Sequence, residues 1–427
     1  MKLTSEAIES RQVQLNIEME EEEVEQYKDK AYKNLVNRVS VPGFRKGKTP
    51  KTILENLIGK DTILQEAIEG MIPEVYNKAL EQEKIVAIAR PHIELLQTQP
   101  VTFKAIVPLL PEVTLGNYKD IRIEYALPEI TDADIDGALQ QIQQQQSTLV
   151  PVERPAEDGD VVTLDISGEE QGEALPLRKD LVYELRQGNA LPLPGFAEKV
   201  MGIAKGEERS FSLTYADDYE NKELAGKNYS FNIKANEIKK RELPEINDEL
   251  AKTLNSNDLQ DLQGKVAAQL KNRNEQRTNA EYENKIFEKL IDISKTEFPP
   301  VLSEIEIDGM IEEEAKNFPD GLQGLEKYLV SIGKPMDDHR KELQPIALGR
   351  VTRALLLSKI IEAEGVTVDD AELQGEIDKM AGQSQAEGEE FKKLFTLPQT
   401  RKSLEQFLIR QKAVLLLSNI AKGNIDK

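Results

Sequence analysis

The chain has 427 residues, with 77 acidic residues against 55 Lys and Arg and a formal net charge of −22. It contains no cysteine and only two histidines, which excludes disulfides, thiolate nucleophiles and Cys-ligated zinc. That length exceeds a single hydrophobic core and predicts about two to four domains, while the acidic balance repels naked nucleic acid and anionic lipid, so any RNA contact has to be local.

Met1-Lys2-Leu3-Thr4-Ser5-Glu6 lacks the apolar stretch of a secretory leader. No apolar run reaches the length of a membrane span. The expectation is a cytoplasmic protein with no membrane contact. Residues 11–19 alternate, with Val13, Leu15, Ile17 and Met19 against polar neighbours, and predict a half-buried strand. A helix follows from Glu21, carrying Val24, Tyr27, Ala31 and Leu35 on one stripe. Lys51 to Glu83 reads as helix, and strands are expected at Ile85–Ala89 and Val101–Val107. Residues 129–149 read as one helix, opened by a Thr131/Asp134 capping box.

From Asp160 to Lys239 the period changes to two. Val162, Leu164 and Ile166 form one alternating set, Phe211, Leu213 and Tyr215 a second, and Tyr229, Phe231, Ile233 and Ala235 a third. Such strands belong to an antiparallel sheet with one wet face. Pro194-Gly195-Phe196 opens a short helix between them. After Leu243-Pro244-Glu245 the sequence is helical almost to the end, and Pro299, Pro300, Pro319, Pro335, Pro345 and Pro398 are expected to divide it into helices.

The stretch Val41 to Pro50 stands apart. Arg38, Arg45, Lys46, Lys48 and Lys51 are five cations with no acid between them. Gly43 and Gly47 free the backbone, while Pro42 and Pro50 fix its entry and exit. Phe44 adds a large apolar ring, which together with the charges is the composition of an interface anchor. Gly-Phe-Arg-x-Gly-x-x-Pro after an N-terminal helix resembles the docking signature of the trigger factor family of bacterial nascent-chain chaperones. Gly43, Phe44, Arg45, Gly47 and Pro50 match it position by position, and the order of later segments agrees over about residues 1–425.

The resemblance implies an α+β multidomain chain. Residues 1–115 would be an N-terminal α+β ribosome-docking domain. Residues 116–149 would be a linker and helix packing with the C-terminal body. Residues 150–242 would be an FKBP-like antiparallel β domain with a short helix. Residues 243–427 would be an all-α chaperone domain with extended arms. It further implies ATP-independent binding of nascent unfolded polypeptides, and docking at the large ribosomal subunit near the exit tunnel, on protein and ribosomal RNA, through Gly43, Phe44, Arg45, Lys46, Gly47, Lys48 and Pro50. A homodimer of the free chain is left open by the sequence. Cofactors are not expected.

For the middle domain the resemblance implies prolyl cis-trans isomerisation in a pocket lined by Phe196, Tyr219 and Phe231, with Leu193 and Tyr183 beside them. Ile166 and Leu175 stand where the family usually carries aromatics, and Pro176 where it carries an acid, which implies a weakened isomerase. Two other readings compete: an enzyme whose remaining domains only position substrate, and a scaffold whose helices hold one fixed partner.

Other motifs are weaker. Gly43 to Thr49 has three residues between its glycines and Pro42 before it, where a phosphate-binding loop needs four and a strand. Asp132-Ala133-Asp134-Ile135-Asp136-Gly137 begins like a calcium loop, but the twelfth position is Gln143 rather than a bidentate glutamate. His92 and His339 are too far apart in sequence to suggest a catalytic pair, and no metal site is expected.

Overall fold

A computed structural model describes residues 1–45, 47–170, 173–216, 219, 225–383 and 392–424, with the side chains of 173–177 and 383 outside that description. In chain order the elements begin with strands β1 (Lys2–Ile8) and β2 (Gln12–Glu18) and helices α1 (Glu21–Arg38), α2 (Lys51–Ile58) and α3 (Lys60–Glu83). Then come β3 (His92–Thr98), β4 (Val101–Pro108), β5 (Glu112–Thr114), a single 3-10 turn at Tyr118–Asp120, α4 (Asp132–Gln145) and β6 (Thr148–Pro151). The middle of the chain holds β7 (Val161–Glu170), β8 (Glu173–Glu184), α5 (Phe196–Val200), β9 (Glu208–Thr214) and β10 (Asn228–Glu242). It is followed by α6 (Asp248–Thr253), α7 (Leu259–Ile293), β11 (Lys295–Glu297), α8 (Val301–Ala315), α9 (Leu322–Ser331), α10 (Met336–Glu364), α11 (Asp370–Gln383) and α12 (Pro398–Lys422).

The chain divides into two compact units, Met1–Tyr125 with Asn279–Lys427, and Ala126–Thr278. In the first unit an antiparallel sheet runs in the order β1-β2-β4-β3. Leu15 pairs with Ala105 and Ile17 with Phe103, so every second side chain of β2 and β4 enters one face. The α1 stripe anticipated from Glu21 closes on that face through Val24, Tyr27 and Ala31, and α3 adds Ala67, Met71 and Val75. A smaller core joins Leu35 and Val36 of α1 to Val41, Leu54 of α2 and Ile63 of α3.

Also in this unit, Tyr118 and Ile121 pack with Tyr282, Ile286 and Leu290 of α7, Leu356 and Ile360 of α10, and Leu417 of α12. The helices α8, α9 and α10 share a separate core of Ile307, Ile311, Leu325, Leu329 and Ala347. Further along, α11 and α12 meet through Leu373, Ile377, Leu404 and Leu408.

In the second unit five antiparallel strands form one sheet, β6-β10-β7-β8 with β9 on β10. The alternating sets read from the sequence point inward together: Val162, Leu164, Ile166, Tyr229, Phe231 and Ile233 enclose α5, whose Phe196, Ala197 and Val200 are fully buried. Beside the sheet, Leu139 of α4 packs against Ala251 of α6 and Leu262 and Val266 of α7.

Several expectations need correction. The strand expected at Ile85–Ala89 is absent. Those residues form only an isolated bridge, Ala87 to Leu109, and the edge of β4 is taken by His92–Thr98. Ile85 and Ala87 do pack on the core, so their alternation reports burial rather than ladder pairing. The helix expected over 129–149 stops at Gln145, because Thr148–Pro151 joins β10 as β6. Gly59, at φ +87°, splits the single helical stretch 51–83 into α2 and α3. Pro345 does not divide helices but lies inside α10. Strand β1 escaped notice because it is a largely solvated edge strand.

Candidate functional site

The basic loop joins α1 to α2 and is held at both ends. Val41 is buried in the small core described above, and Thr49 is 3% exposed with its carbonyl accepting a hydrogen bond from the Tyr32 hydroxyl. Inside the loop the Phe44 N–H donates to the Val41 carbonyl (3.1 Å) and the Lys48 N–H to that of Arg45 (2.9 Å). The Gly47 N–H donates back to Val36 in α1 at 3.0 Å. Gly47 sits at φ +83°, and a Cβ there would come within 2.6 Å of Asn37 Oδ1. A residue with a side chain is therefore opposed twice, by its backbone angle and by its neighbour. Gly43 and Pro50, the remaining matched positions, shape the entry at φ +86° and the N-cap of α2.

The loop so fixed presents Phe44, 42% exposed, beside exposed Arg45 and Lys48. Lys46 lies outside the described residues. The basic island is narrower than the sequence suggests. Lys51 is clamped by Asp29 (2.9 Å) and Glu25 (3.0 Å), which raise its pKa, and Arg38 pairs with Glu66 at 3.1 Å. Arg45 and Lys48 have no ion-pair partner among the described residues. Pairing across the fold decides which cations remain available, and no linear pattern shows that.

The second feature is a cavity of about 260 Å³ on the sheet of the second unit. Its wall is Ile166, Gly168, Arg178, Leu181, Pro192, Leu193, Tyr229 and Phe231. Of the six residues expected there, Ile166, Leu193 and Phe231 line it. Phe196 does not. It is fully buried behind the wall, edge-on to Phe231 at 5.3 Å and to Tyr183 at 5.4 Å. Tyr183 is also behind the wall, and its hydroxyl donates to the Leu191 carbonyl at 2.8 Å, which fixes the segment carrying Pro192 and Leu193. Burial, aided by the charge of Glu198, pushes the Tyr183 hydroxyl up to about 12. Tyr219 lies further off, with its ring 4.8 Å from that of Tyr215. The Tyr215 hydroxyl donates to the Pro194 carbonyl at 2.6 Å, a second tie on the same segment.

Tyr229, Gly168, Leu181, Pro192 and Arg178 were not anticipated as wall residues. For Tyr229 alternation showed only the inward face it shares with Phe231. Gly168 was not legible, because its role is an absence: a Cβ there would press on the Ser230 carbonyl at 2.7 Å and on the Phe231 ring. The side chains of Leu175 and Pro176 lie outside the described residues.

Such a wall suits prolyl isomerisation. The barrier to rotation about a peptide bond, about 18–20 kcal/mol, comes from amide resonance. A dry apolar wall favours the twisted, less polar amide over the planar one, so no nucleophile is needed.

Known proteins match the chain domain by domain. Residues 1–142 match the family model for bacterial trigger factor protein, residues 258–419 that for its C-terminus, and residues 152–240 that for FKBP-type peptidyl-prolyl cis-trans isomerase. A trigger factor of Dehalococcoides mccartyi is 33% identical over 99% of this chain and 95% of its own length. The chain belongs to the trigger factor family. Trigger factors of Pelotomaculum thermopropionicum (34% identical, covering 99% of this chain and 98% of that one) and Moorella thermoacetica (36%, covering 89% and 86%) are similar to it. A solved structure of a trigger factor chaperone also resembles it, at 24% identity and a TM-score of 0.47 over 98% of this chain and 99% of that one.

As a trigger factor, the chain is a ribosome-associated chaperone that binds nascent polypeptides and carries an FKBP-type prolyl isomerase domain. The enzyme-only and scaffold readings are not favoured. Among the described residues no helix is long and apolar enough to cross a membrane.

Proposed function

We propose that Phe44, Arg45, Lys46 and Lys48 dock this trigger factor beside the exit tunnel of the large ribosomal subunit, in the cytoplasm. The observation that carries the reading is a half-exposed phenylalanine ring on a loop whose two ends, Val41 and Thr49, are buried. Phe44 enters an apolar recess. Arg45 pairs with a carboxylate in a two-point contact, and Lys46 and Lys48 meet acidic protein or ribosomal RNA phosphate. Gly43, Gly47 and Pro50 hold the loop open. Residues 1–115 serve as the docking domain, 150–242 as the isomerase and 243–427 as the client-binding body, with 116–149 linking them.

Clients are held by many weak apolar contacts. Docking raises the effective concentration of chaperone at the emerging chain, and release follows as folding withdraws the client's apolar groups. In the second unit, Ile166, Leu193, Tyr229 and Phe231 receive the proline ring. Phe196 and Tyr183 support that wall from behind, while Tyr219 packs on Tyr215, which ties down the Pro194 segment. Aliphatic residues at family aromatic positions weaken the isomerase. The free chain is proposed to associate as a homodimer, which sedimentation velocity measures directly.

The test of docking is co-sedimentation with purified ribosomes at several salt concentrations. Phe44→Ala combined with Arg45→Ala is expected to abolish binding while far-UV circular dichroism stays unchanged, and wild-type binding is expected to weaken as salt rises. Undiminished co-sedimentation of the double variant would remove these roles.

A further inference from the structure

Residues 150–242 contain five arginines, and four are ion-paired: Arg154 with Asp160, Arg186 and Arg241 with Glu184, and Arg209 with Glu207. The fifth, Arg178, is exposed and has no ion-pair partner among the described residues. Among the described residues it is also the one charged side chain in the wall of this cavity. Among the described residues it is a guanidinium with no carboxylate partner against an otherwise apolar wall, in a chain of net charge −22, and so a binding group open to an anion.

The backbone places it there. Ile166 of β7 pairs with Arg178 of β8, but the flanking pairs are Leu164 with Leu181 and Gly168 with Leu175. On each side of Arg178, β8 therefore carries one residue more than β7, which is a bulge. Arg178 and Leu181 are three apart and would face opposite ways in a regular strand. The bulge between them brings both to the cavity. It is held by Asp180 at φ +51°, whose N–H donates to Asp165 Oδ1 at 2.8 Å.

We propose that Arg178 makes this isomerase selective for prolines with an acidic side chain next to them in the client sequence. The apolar wall takes the proline ring, and the planar donor fork of the guanidinium takes the neighbouring carboxylate at the rim. A lysine or arginine beside the proline is repelled. The inference rests on the reading of this cavity as the proline site. Because the pair is exposed to solvent, the selectivity is modest, about two- to five-fold.

The test uses the full-length protein and short peptides with Glu, Gln or Lys immediately before or after a proline. Isomerisation rates are measured for the wild type, Arg178→Gln and Arg178→Glu, and affinities for the same fluorescently labelled peptides are measured by anisotropy. The quantity read is the Glu-to-Lys ratio within each variant, so a general loss of activity or stability cancels. The expected ratio is about three in the wild type at low salt, falling as salt rises, close to one in Arg178→Gln and below one in Arg178→Glu. An unchanged ratio in Arg178→Gln overturns the proposal. So does an equal loss on all peptides, which would make Arg178 a donor to the peptide backbone instead. If peptides bind without turning over, the isomerase assignment of the cavity fails, while the affinity ratio still decides the role of Arg178. If none bind, both fall.

Discussion

At the residue scale the chain uses single groups to fix irregular backbone. Asp160 shows this well. Its side chain is 3% exposed and receives Arg154 at 2.6 Å and the Glu157 N–H at 2.8 Å. Burial alone would raise its pKa, but the ion pair and the amide outweigh burial and hold it below the ordinary 3.8. A lowered native pKa means that the unfolded chain binds the proton more readily. The contribution of Asp160 is therefore intact above about pH 4 and is lost as pH falls through the lowered native value. Asp160→Asn is expected to cost about 1–3 kcal/mol at pH 7, and the gap from wild type should be narrower at a pH below the ordinary 3.8, where the lowered native value is approached. Urea unfolding of the full chain at both pH values measures this, and a gap that ignores pH would exclude the linkage.

At the element scale, caps and bulges decide where regular structure stops. Helix α4 begins at a complete capping box: the Asp134 N–H donates to Thr131 Oγ1 at 3.3 Å, and the Thr131 N–H to Asp134 Oδ2 at 2.9 Å. Thr131→Ala is expected to cost about 1 kcal/mol and to speed amide exchange in the first turn of α4 more than in α7. Equal exchange in both variants would show that packing of Leu139 alone holds the helix. This box was legible because it is a local pattern of four residues. The two bulges of β8 were not legible, because a bulge exists only relative to the partner strand. Pro345 failed as a helix break for a related reason: Ala347 and Leu356 of the same helix are buried in two cores, and that packing outweighs the lost hydrogen bond.

At the scale of the whole molecule, burial is incomplete in the helical region. Leu322, Tyr328, Val330 and Ile332 are exposed on and just after α9, and Phe407 and Leu415 on α12. Tyr328 and Ile332 are four apart and share a helix face, and the Tyr328 ring lies 5.5 Å from that of Phe318. Apolar groups left outside small cores such as these are the surface a weak, many-point chaperone needs. Tyr328→Ser with Ile332→Ser is expected to leave the melting temperature within about 2 °C. The same pair should reduce suppression of aggregation of a proline-free client about two-fold, if the contacts are additive and weak. Light scattering during client refolding measures it, and full suppression by the variant would move client binding elsewhere.

Periodicity, caps and the Gly-Phe-Arg motif are short-range properties, so the sequence by itself determined the inward faces of the strands, the stripe of α1, the start of α4 and the loop that carries Phe44. Tertiary structure alone decided which of the loop's cations stay unpaired, because Lys51 and Arg38 are neutralised by acids from other turns of the fold. It alone decided that Phe196 and Tyr183 stand behind the cavity wall while Tyr229 and Arg178 form it. Inward and outward are set by alternation along one strand, but lining a cavity or filling the core behind it depends on which strand lies opposite and in what register.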